Sequence, residues 1–289
     1  MTNEPAYAGS SAAAIQRHYD RGQEFYKLWL GQPLLYSAGL WSGGEEDTLD
    51  DAQLRSLDWA IEHAAAAGAE HVLDIGCGWG RMLERLIERG AGRATGLTLS
   101  EDQAGHVAAA ASPGVEARLE HYADHTPGDR YDAIVCIEAF EHLADIDMSR
   151  DEKVDAYREF FSRCRRWLKP GGRIALQAIA KGNSRMDRQA LEDGRFIYEK
   201  IFPETDSPRL AELLQSSENK FEPRVLRLDP GHYERTLAEW ARRLEGHRAE
   251  ATQLVGETTV AMYERYFRAG RQYFDRGHAT LVRVAFERV

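Results

Sequence analysis

The sequence is poor in cysteine and shows no cysteine pattern. Its 289 residues include three cysteines, Cys77, Cys136 and Cys164, and no two of them have the spacing of a metal site. The odd number also argues against a framework of disulfides. We therefore expect buried free thiols, no bound metal and a location in the reducing cytoplasm.

The sequence also lacks an apolar stretch long enough to cross a bilayer, which needs about 20 residues. Residues 1–11 are small and polar, without the basic and apolar regions of a secretory signal. The formal net charge is −10, so acidic residues outnumber basic ones. This net negative charge predicts no nucleic acid partner and no stable insertion into a membrane. Whether the chain forms a homo-oligomer is left open by these features.

The most informative feature that is present is a glycine-rich turn between a predicted strand and a predicted helix. Residues 72–80 read Val-Leu-Asp-Ile-Gly-Cys-Gly-Trp-Gly. Gly76, Gly78 and Gly80 allow the backbone to approach a ligand, and Asp74 places a carboxylate at the end of the strand. The spacing differs from the Gly-x-Gly-x-x-Gly of dinucleotide-binding proteins. A simple strand–turn–helix connection with no ligand is the alternative.

Strands and helices alternate along the rest of the chain, which predicts an α/β fold with a mostly parallel sheet. The predicted strands are 70–75, 93–98, 116–119, 131–136, 173–179, 222–228 and 280–288. The predicted helices are 12–30, 48–67, 80–89, 101–112, 150–168, 234–249 and 256–275.

The alternation breaks after the strand at 173–179. Residues 181–204 form a long segment that is rich in aromatic side chains, among them Phe196 and Phe202. A segment of this length inside a compact domain is usually functional, so we expect a lid or a pocket wall. A helical insertion that packs only for stability is the alternative. We predict a single domain with a helical cap at 1–67, a cofactor-binding core at 70–180, a lid at 181–220 and the rest of the core at 221–289.

Several short motifs along the chain occur together in one known family. They are His18-Tyr19-Asp20, Leu35-Tyr36-Ser37, the run 74–80, Gly96-Leu97-Thr98-Leu99-Ser100, Gln103, Glu138-Ala139-Phe140-Glu141-His142, Ile201-Phe202-Pro203 and Tyr233. In these motifs, from His18 to the C-terminus, the chain resembles the cyclopropane-fatty-acid synthases, and especially the shorter mycolic-acid cyclopropane and methyl transferases. The resemblance implies a Rossmann-like class I methyltransferase fold, with a seven-stranded mostly parallel sheet, an N-terminal helical cap and a lid insertion.

The resemblance also implies the cofactor, S-adenosyl-L-methionine (SAM), with S-adenosyl-L-homocysteine (SAH) as product. The second strand ends without the acidic residue that holds the ribose in most SAM enzymes. By resemblance Thr98 and Gln103 take that role, since a hydroxyl and an amide can each bond a ribose hydroxyl. Tyr36 and Ser37 correspond to contacts with the methionine end, although a packing role is the alternative for Tyr36. The implied cofactor-binding residues are Tyr36, Ser37, Asp74, Gly76, Gly78, Gly80, Thr98, Gln103 and Ile137.

The reaction implied by the resemblance is methyl transfer to a C=C carbon, which leaves a carbocation. Aromatic faces can stabilise the cation, and water must be excluded because it would react with it. A base then removes a proton. Loss from the new methyl group closes a cyclopropane, whereas loss from a neighbouring carbon gives a methylated alkene.

In cyclopropane synthases the base is bicarbonate, held by a Cys, a Glu, a His, an Ile and a Tyr. Glu141, Ile179 and Tyr233 keep that pattern, but Ala38 replaces the Cys and Gln177 replaces the His. A glutamine can donate a hydrogen bond but cannot carry a proton. The two departures argue against bicarbonate, so we expect Glu141 to accept or relay the proton and Tyr233 to orient it.

We therefore expect a SAM-dependent C-methyltransferase that acts on an apolar unsaturated acceptor, either a small molecule or a carrier-bound intermediate. The residues expected to bind this acceptor are Tyr19, Gln177, Ile179, Phe196 and Phe202. A cyclopropane synthase acting on an unsaturated acyl chain is the first alternative. An O- or N-methyltransferase on the same fold, and a SAM-binding module without catalysis, are the others.

Overall fold

The structure, a computed structural model, describes residues 22–44 and 47–289. Seven strands lie in the order β3-β2-β1-β4-β5-β7-β6, and only β7 runs antiparallel to its neighbours. The seven-stranded, mostly parallel sheet predicted from the sequence is therefore confirmed. The strands are β1 (His71–Ile75), β2 (Arg93–Thr98), β3 (Val115–Leu119), β4 (Tyr131–Ile137), β5 (Leu168–Lys181), β6 (Phe221–Leu228) and β7 (Ala279–Arg288).

Helices cover both faces of the sheet. Two of them begin at capping boxes, in which Thr48 is paired with Asp51 and Ser149 with Glu152. The described helices are α1 (Gln23–Leu30), α2 (Leu49–His63), α3 (Arg81–Glu88), α4 (Glu101–Ala110), α5 (Arg150–Trp167), α6 (Arg188–Lys200), α7 (Leu210–Ser217), α8 (Pro230–Gly246), α9 (Arg248–Val255) and α10 (Glu257–Asp275). A 3₁₀ turn, Phe140–Leu143, follows β4. The first residues of the predicted helix 12–30, and Tyr19 with them, lie outside the described residues.

Two of the predicted boundaries that differ from the structure have a clear physical reason. The helix predicted at 48–67 ends at His63, because Ala65 adopts a left-handed backbone with φ of 54° and turns the chain before Gly68. The strand predicted at 173–179 begins at Leu168, directly after α5. Leu168 already pairs with Tyr131 of β4, and the register then shifts, so the Pro-Gly-Gly run forms an irregularity within the strand.

Successive residues of β1 point to opposite faces of the sheet, and both faces are covered. Leu73 and Ile75 pack into one apolar cluster, whereas Val72 packs into another. A third cluster, built around Trp29 and Trp240, joins α1, α8 and α10. The three cysteines are free and buried, as the sequence predicts. Within the described ranges, none of the helices is both long and apolar enough to cross a bilayer.

Candidate active site

The first cavity opens at the carboxyl ends of β1 and β4. These neighbouring strands lie where the order along the sheet reverses, which is the usual position of a ligand crevice in an open α/β sheet. The cleft is lined by eight of the nine residues that the sequence assigned to the cofactor: Tyr36, Ser37, Asp74, Gly76, Gly78, Thr98, Gln103 and Ile137. Their contact with SAM stays a prediction.

The three glycines of the turn have different structural roles. A Cβ atom at Gly78, where φ is 54°, would meet nothing within 4 Å, so this residue presents open backbone to the cleft. A Cβ atom at Gly76 would collide with Ala139. Gly80 does not line the cleft, and a Cβ atom there would lie 2.5 Å from Val107 Cγ2. Packing of α4 therefore explains the glycine at position 80.

Asp74 and the pair of Thr98 with Gln103 give the cleft its polar character. The Asp74 side chain is buried, and no described residue donates a hydrogen bond to its Oδ1 atom. Burial raises the pKa of this carboxyl to about 7. The Thr98 hydroxyl donates to Oε1 of Gln103 at 2.6 Å, which fixes that amide at the cleft. A buried acceptor without a protein donor fits a ligand that brings its own N–H or O–H groups.

A second cavity of about 560 Å³ adjoins the cleft, and Tyr36, Glu138 and His142 line both. This size is typical of small-molecule sites. Residues 186–207 form one wall, as expected for the segment predicted as a lid. The aromatic lining comprises Tyr36, Tyr198, Phe202, Tyr233, Tyr266, Tyr273 and Phe274.

Of the residues assigned to the acceptor, Ile179 and Phe202 line this second cavity. Gln177 is buried behind the wall, and Phe196 is not part of the lining either. The Arg265 guanidinium lies 3.9 Å from the centroid of the Phe196 ring, so that ring packs against α10. Neither side chain therefore lines the cavity as expected, because the Gln177 amide is covered by its contact with Glu138 and the Phe196 side of α6 faces α10.

Glu141 lies in the second cavity, where the 3₁₀ turn after β4 holds it. Its Oε1 atom accepts a hydrogen bond from the backbone N–H of Ile179 at 2.5 Å. No described residue donates to Oε2. Burial raises the pKa of Glu141 to about 8, and the nearby Glu138 carboxylate adds to the increase. The side chain is therefore mostly protonated at neutral pH.

Tyr233 also lines the second cavity, but its hydroxyl is directed away from the expected partner. It donates to Oε2 of Glu138 at 2.7 Å rather than to Glu141. The ring stacks on Phe274, with centroids 4.5 Å apart. The expectation that Tyr233 orients Glu141 was therefore wrong.

Glu138 is the site residue that the sequence interpretation missed. Its Oε1 atom accepts hydrogen bonds from the Ala38 backbone N–H at 2.8 Å and from Nε2 of Gln177 at 2.7 Å. Together with the bond from Tyr233, the carboxylate has three donors at the junction of the two cavities. The spacing Glu138-x-x-Glu141 after a buried strand was the available signal, since it places two carboxylates beside one cleft.

A buried arginine fixes the amide of Gln177. Nε of Arg283 donates to Oε1 of Gln177 at 2.7 Å, and its Nη1 atom bonds Asp229 at 2.6 Å. The Ser56 hydroxyl also donates to Oε1 of Gln177, at 3.0 Å. With its oxygen engaged, Gln177 presents its NH₂ group to Glu138.

Comparisons with known proteins identify the family of this chain. A family model described as mycolic acid cyclopropane synthetase matches residues 8–284. Cyclopropane mycolic acid synthase 2 of Mycobacterium leprae is 31% identical over 278 residues, covering 88% of this chain and 86% of that protein. The structure of the cyclopropane synthase MmaA2 from Mycobacterium tuberculosis has a TM-score of 0.88 and 27% identity, covering 96% of this chain and 99% of that one.

A further solved structure carries the cofactor product. Mycolic acid cyclopropane synthase CmaA1, complexed with SAH and CTAB, has a TM-score of 0.87 and 26% identity, and the match covers 96% of this chain and 99% of that one. SAM is the cofactor of this family. The chain belongs to the mycolic acid cyclopropane synthetase family and is a SAM-dependent methyltransferase.

Proposed function

We propose that this methyltransferase transfers a methyl group to a C=C carbon of an apolar acceptor, and that its product keeps a double bond. The acceptor is a small molecule or a carrier-bound chain. One observation carries the proposal. The cofactor cleft opens into an aromatic cavity, and the two meet at Glu138, so a methyl donor and an apolar acceptor would meet beside a carboxylate.

Bound SAM supplies an electrophilic methyl group. The residues of the chain position the cofactor and the acceptor and line the cavity in which they react. Asp74, Thr98 and Gln103 would hold the cofactor, while the second cavity holds the alkene close to the methyl group. An alkene is a weak nucleophile, so much of the rate must come from this positioning. Tyr233 and Phe274 line the cavity, where aromatic faces can stabilise a cation, and an apolar acceptor that fills the cavity would displace the water that would react with it.

The largely apolar lining of the second cavity favours an apolar acceptor. Lys181 lines it, but its ammonium bonds Asp206 at 2.6 Å, and Lys153 bonds the same carboxylate at 2.6 Å. These charges are therefore paired within the protein. Ile146, Met186 and Leu191 extend the apolar lining and are themselves exposed, which suits an acceptor with a hydrocarbon portion.

Cyclopropane synthesis on an unsaturated acyl chain is the second candidate, and membership of the family favours it. Ala38 and Gln177 argue against it, because they replace the cysteine and histidine of the bicarbonate pocket, and a glutamine amide can donate a hydrogen bond but cannot carry a proton. An O- or N-methyltransferase is a further alternative. Burial lowers the pKa of His142 to about 4, so a neutral imidazole adjoins the cleft. An O- or N-methyltransferase would use such an imidazole as a general base beside the heteroatom of its acceptor.

Product analysis with labelled SAM tests the proposal. The enzyme is incubated with methyl-deuterated SAM and three acceptors: vesicles of a cis-octadecenoyl phospholipid, the octadecenoyl thioester of acyl carrier protein, and a C15 isoprenoid alcohol. Intact-mass analysis finds the labelled product, and proton NMR identifies it. We expect a new methyl signal with a retained or shifted vinyl signal. Upfield cyclopropyl methylene signals would instead establish the second candidate, and a methyl group on oxygen or nitrogen would overturn both.

The Gly78→Val variant is the matched control for this assay. It should form no labelled product with any of the three acceptors, because the added side chain projects into the cofactor cleft.

A further inference from the structure

The donors around Glu138 come from the positions that hold bicarbonate in the cyclopropane synthases. In this chain those five positions are Ala38, Glu141, Gln177, Ile179 and Tyr233. Three of them, Ala38, Gln177 and Tyr233, donate hydrogen bonds to the two oxygens of Glu138, at 2.8, 2.7 and 2.7 Å. A carboxylate that belongs to the chain therefore takes up the hydrogen bonds that an external anion would need.

The backbone of Glu138 has an unusual conformation that directs its side chain to this position. Its φ is 52°, in the left-handed region that residues other than glycine rarely adopt. Such strain persists where the surroundings fix it, and it is common in active sites. The backbone N–H of Glu138 bonds the Gln177 carbonyl at 2.7 Å, which anchors the end of β4 to β5.

We propose that Glu138 is the catalytic base of this enzyme, and that its carboxylate replaces bicarbonate. This inference rests on the proposed C-methylation. When the methyl group bonds to one alkene carbon, the π pair forms the new C–C bond and the former C–S pair stays on sulfur. The neighbouring carbon becomes cationic. A C–H bond beside it then breaks, its pair forms the new C=C bond, and the proton moves to an oxygen of Glu138.

The neighbouring Glu141 has a different electrostatic environment. Glu141 accepts a single backbone hydrogen bond, whereas Glu138 has three donors, and the Arg283 guanidinium also favours its charged form. Burial raises the pKa of both carboxyls, and two carboxylates this close are not ionised together without a large cost. With three hydrogen-bond donors against one, Glu138 is the better place for the single negative charge, and a base is needed there.

The Glu138→Gln variant tests the basicity of this residue. The amide can keep all three contacts, because its oxygen can accept from Ala38 and Gln177 while its NH₂ group donates to the Tyr233 oxygen. We expect kcat to fall by roughly a hundredfold or more, with unchanged SAM affinity by calorimetry. Glu141→Gln is the matched comparison and should cause a smaller loss. A near-normal kcat in Glu138→Gln, or a larger loss in Glu141→Gln, would overturn the assignment.

The Glu138→Gly variant tests the pocket without any acceptor. Glycine adopts a φ of 52° readily, so the backbone should remain folded, which thermal unfolding checks. Removal of the side chain frees the three donors. We expect ¹³C-bicarbonate to bind this variant, as seen by line broadening in its NMR signal, and not to bind the wild type or Glu138→Gln. Binding to the wild type, or no binding to Glu138→Gly, would contradict the inference.

Chemical rescue completes the test on whichever acceptor the wild type methylates. Added bicarbonate should raise the turnover of Glu138→Gly by about tenfold or more, and should leave Glu138→Gln and the wild type unaffected. If the wild type methylates no alkene, the proposed function fails, while the binding experiment still decides whether Glu138 fills the bicarbonate pocket. If methylation proceeds and bicarbonate binds Glu138→Gly but rescues nothing, Glu138 is a structural residue and the assignment as base is wrong.

Discussion

Gln177 and Arg283 are direct partners across the antiparallel strands β5 and β7, and Nε of Arg283 donates to Oε1 of Gln177 at 2.7 Å. Arg283 is fully buried within the otherwise apolar run 281–286 of β7. Its other bonds reach Asp229 and the Gly39 carbonyl. One arginine thus links the sheet, the start of α8 and the segment before α2, and it fixes the amide that contacts Glu138.

The first prediction concerns the stability that Arg283 provides. The Arg283→Met variant removes the buried charged donor that Asp229 and the Gln177 oxygen share, so the free energy of unfolding should fall by about 3 kcal/mol. Arg227→Met is the matched control, because Arg227 bonds the same carboxylate from an exposed position. It should lower the stability by less than about 1 kcal/mol. Urea unfolding measures the stability of both variants. Equal losses in the two would contradict the claim that the buried arginine stabilises the fold more than the exposed one.

The second prediction concerns the cofactor loop. We expect the wild type to bind SAM with micromolar affinity, about −8 kcal/mol. Gly78→Val should abolish binding measured by calorimetry, because a Cβ atom at Gly78 projects into open space that the cofactor would occupy. Gly68→Val is the control: Gly68 also has a positive φ and open surroundings, but it lies outside the cleft. Unchanged SAM affinity in Gly78→Val would show that the cleft is wrongly assigned.

The sheet, and the residues that line the first cavity, could be predicted because local sequence determines them. The run 72–80 contains both the strand and the turn, and its neighbours in the sheet follow from the alternation of elements. Glu138 could not be predicted in the same way. Its role depends on a left-handed backbone at one residue and on donors from Ala38, Gln177 and Tyr233, which lie far apart in the chain.

The third prediction concerns the dependence of stability on pH. The pKa of Glu141 is about 8 in the folded chain, against an ordinary value of 4.5. Because the folded state holds the proton more tightly, the stabilisation is complete below pH 4.5 and is lost as the pH rises to about 8. The amide of Glu141→Gln cannot ionise. The decrease in the free energy of unfolding as the pH rises should therefore be smaller in this variant, by up to about 4 kcal/mol.

Urea unfolding of the wild type and of Glu141→Gln near pH 5 and near pH 9 provides the measurement. Glu62→Gln, an exposed position on α2, controls for the removal of one charge. Burial also raises the pKa of the Asp74 carboxyl to about 7, so Asp74 adds a loss of stability as the pH rises. This contribution is present in both proteins and cancels when they are compared. Parallel pH profiles for the wild type and Glu141→Gln would mean that Glu141 is ionised in the folded enzyme.

The fourth prediction concerns the wall of the acceptor cavity. Along α6 only Ala190 and Asp193 are buried, and Leu191 is 60% exposed although it lines the cavity. Few buried contacts mean a low cost of local opening, so α6 should open before the sheet does. Hydrogen exchange of the free enzyme should therefore be faster in α6 than in α5, a helix with seven buried residues. An apolar acceptor should slow the exchange of α6 specifically. Equal protection of the two helices in the free enzyme would show that residues 188–200 are a fixed wall rather than a lid.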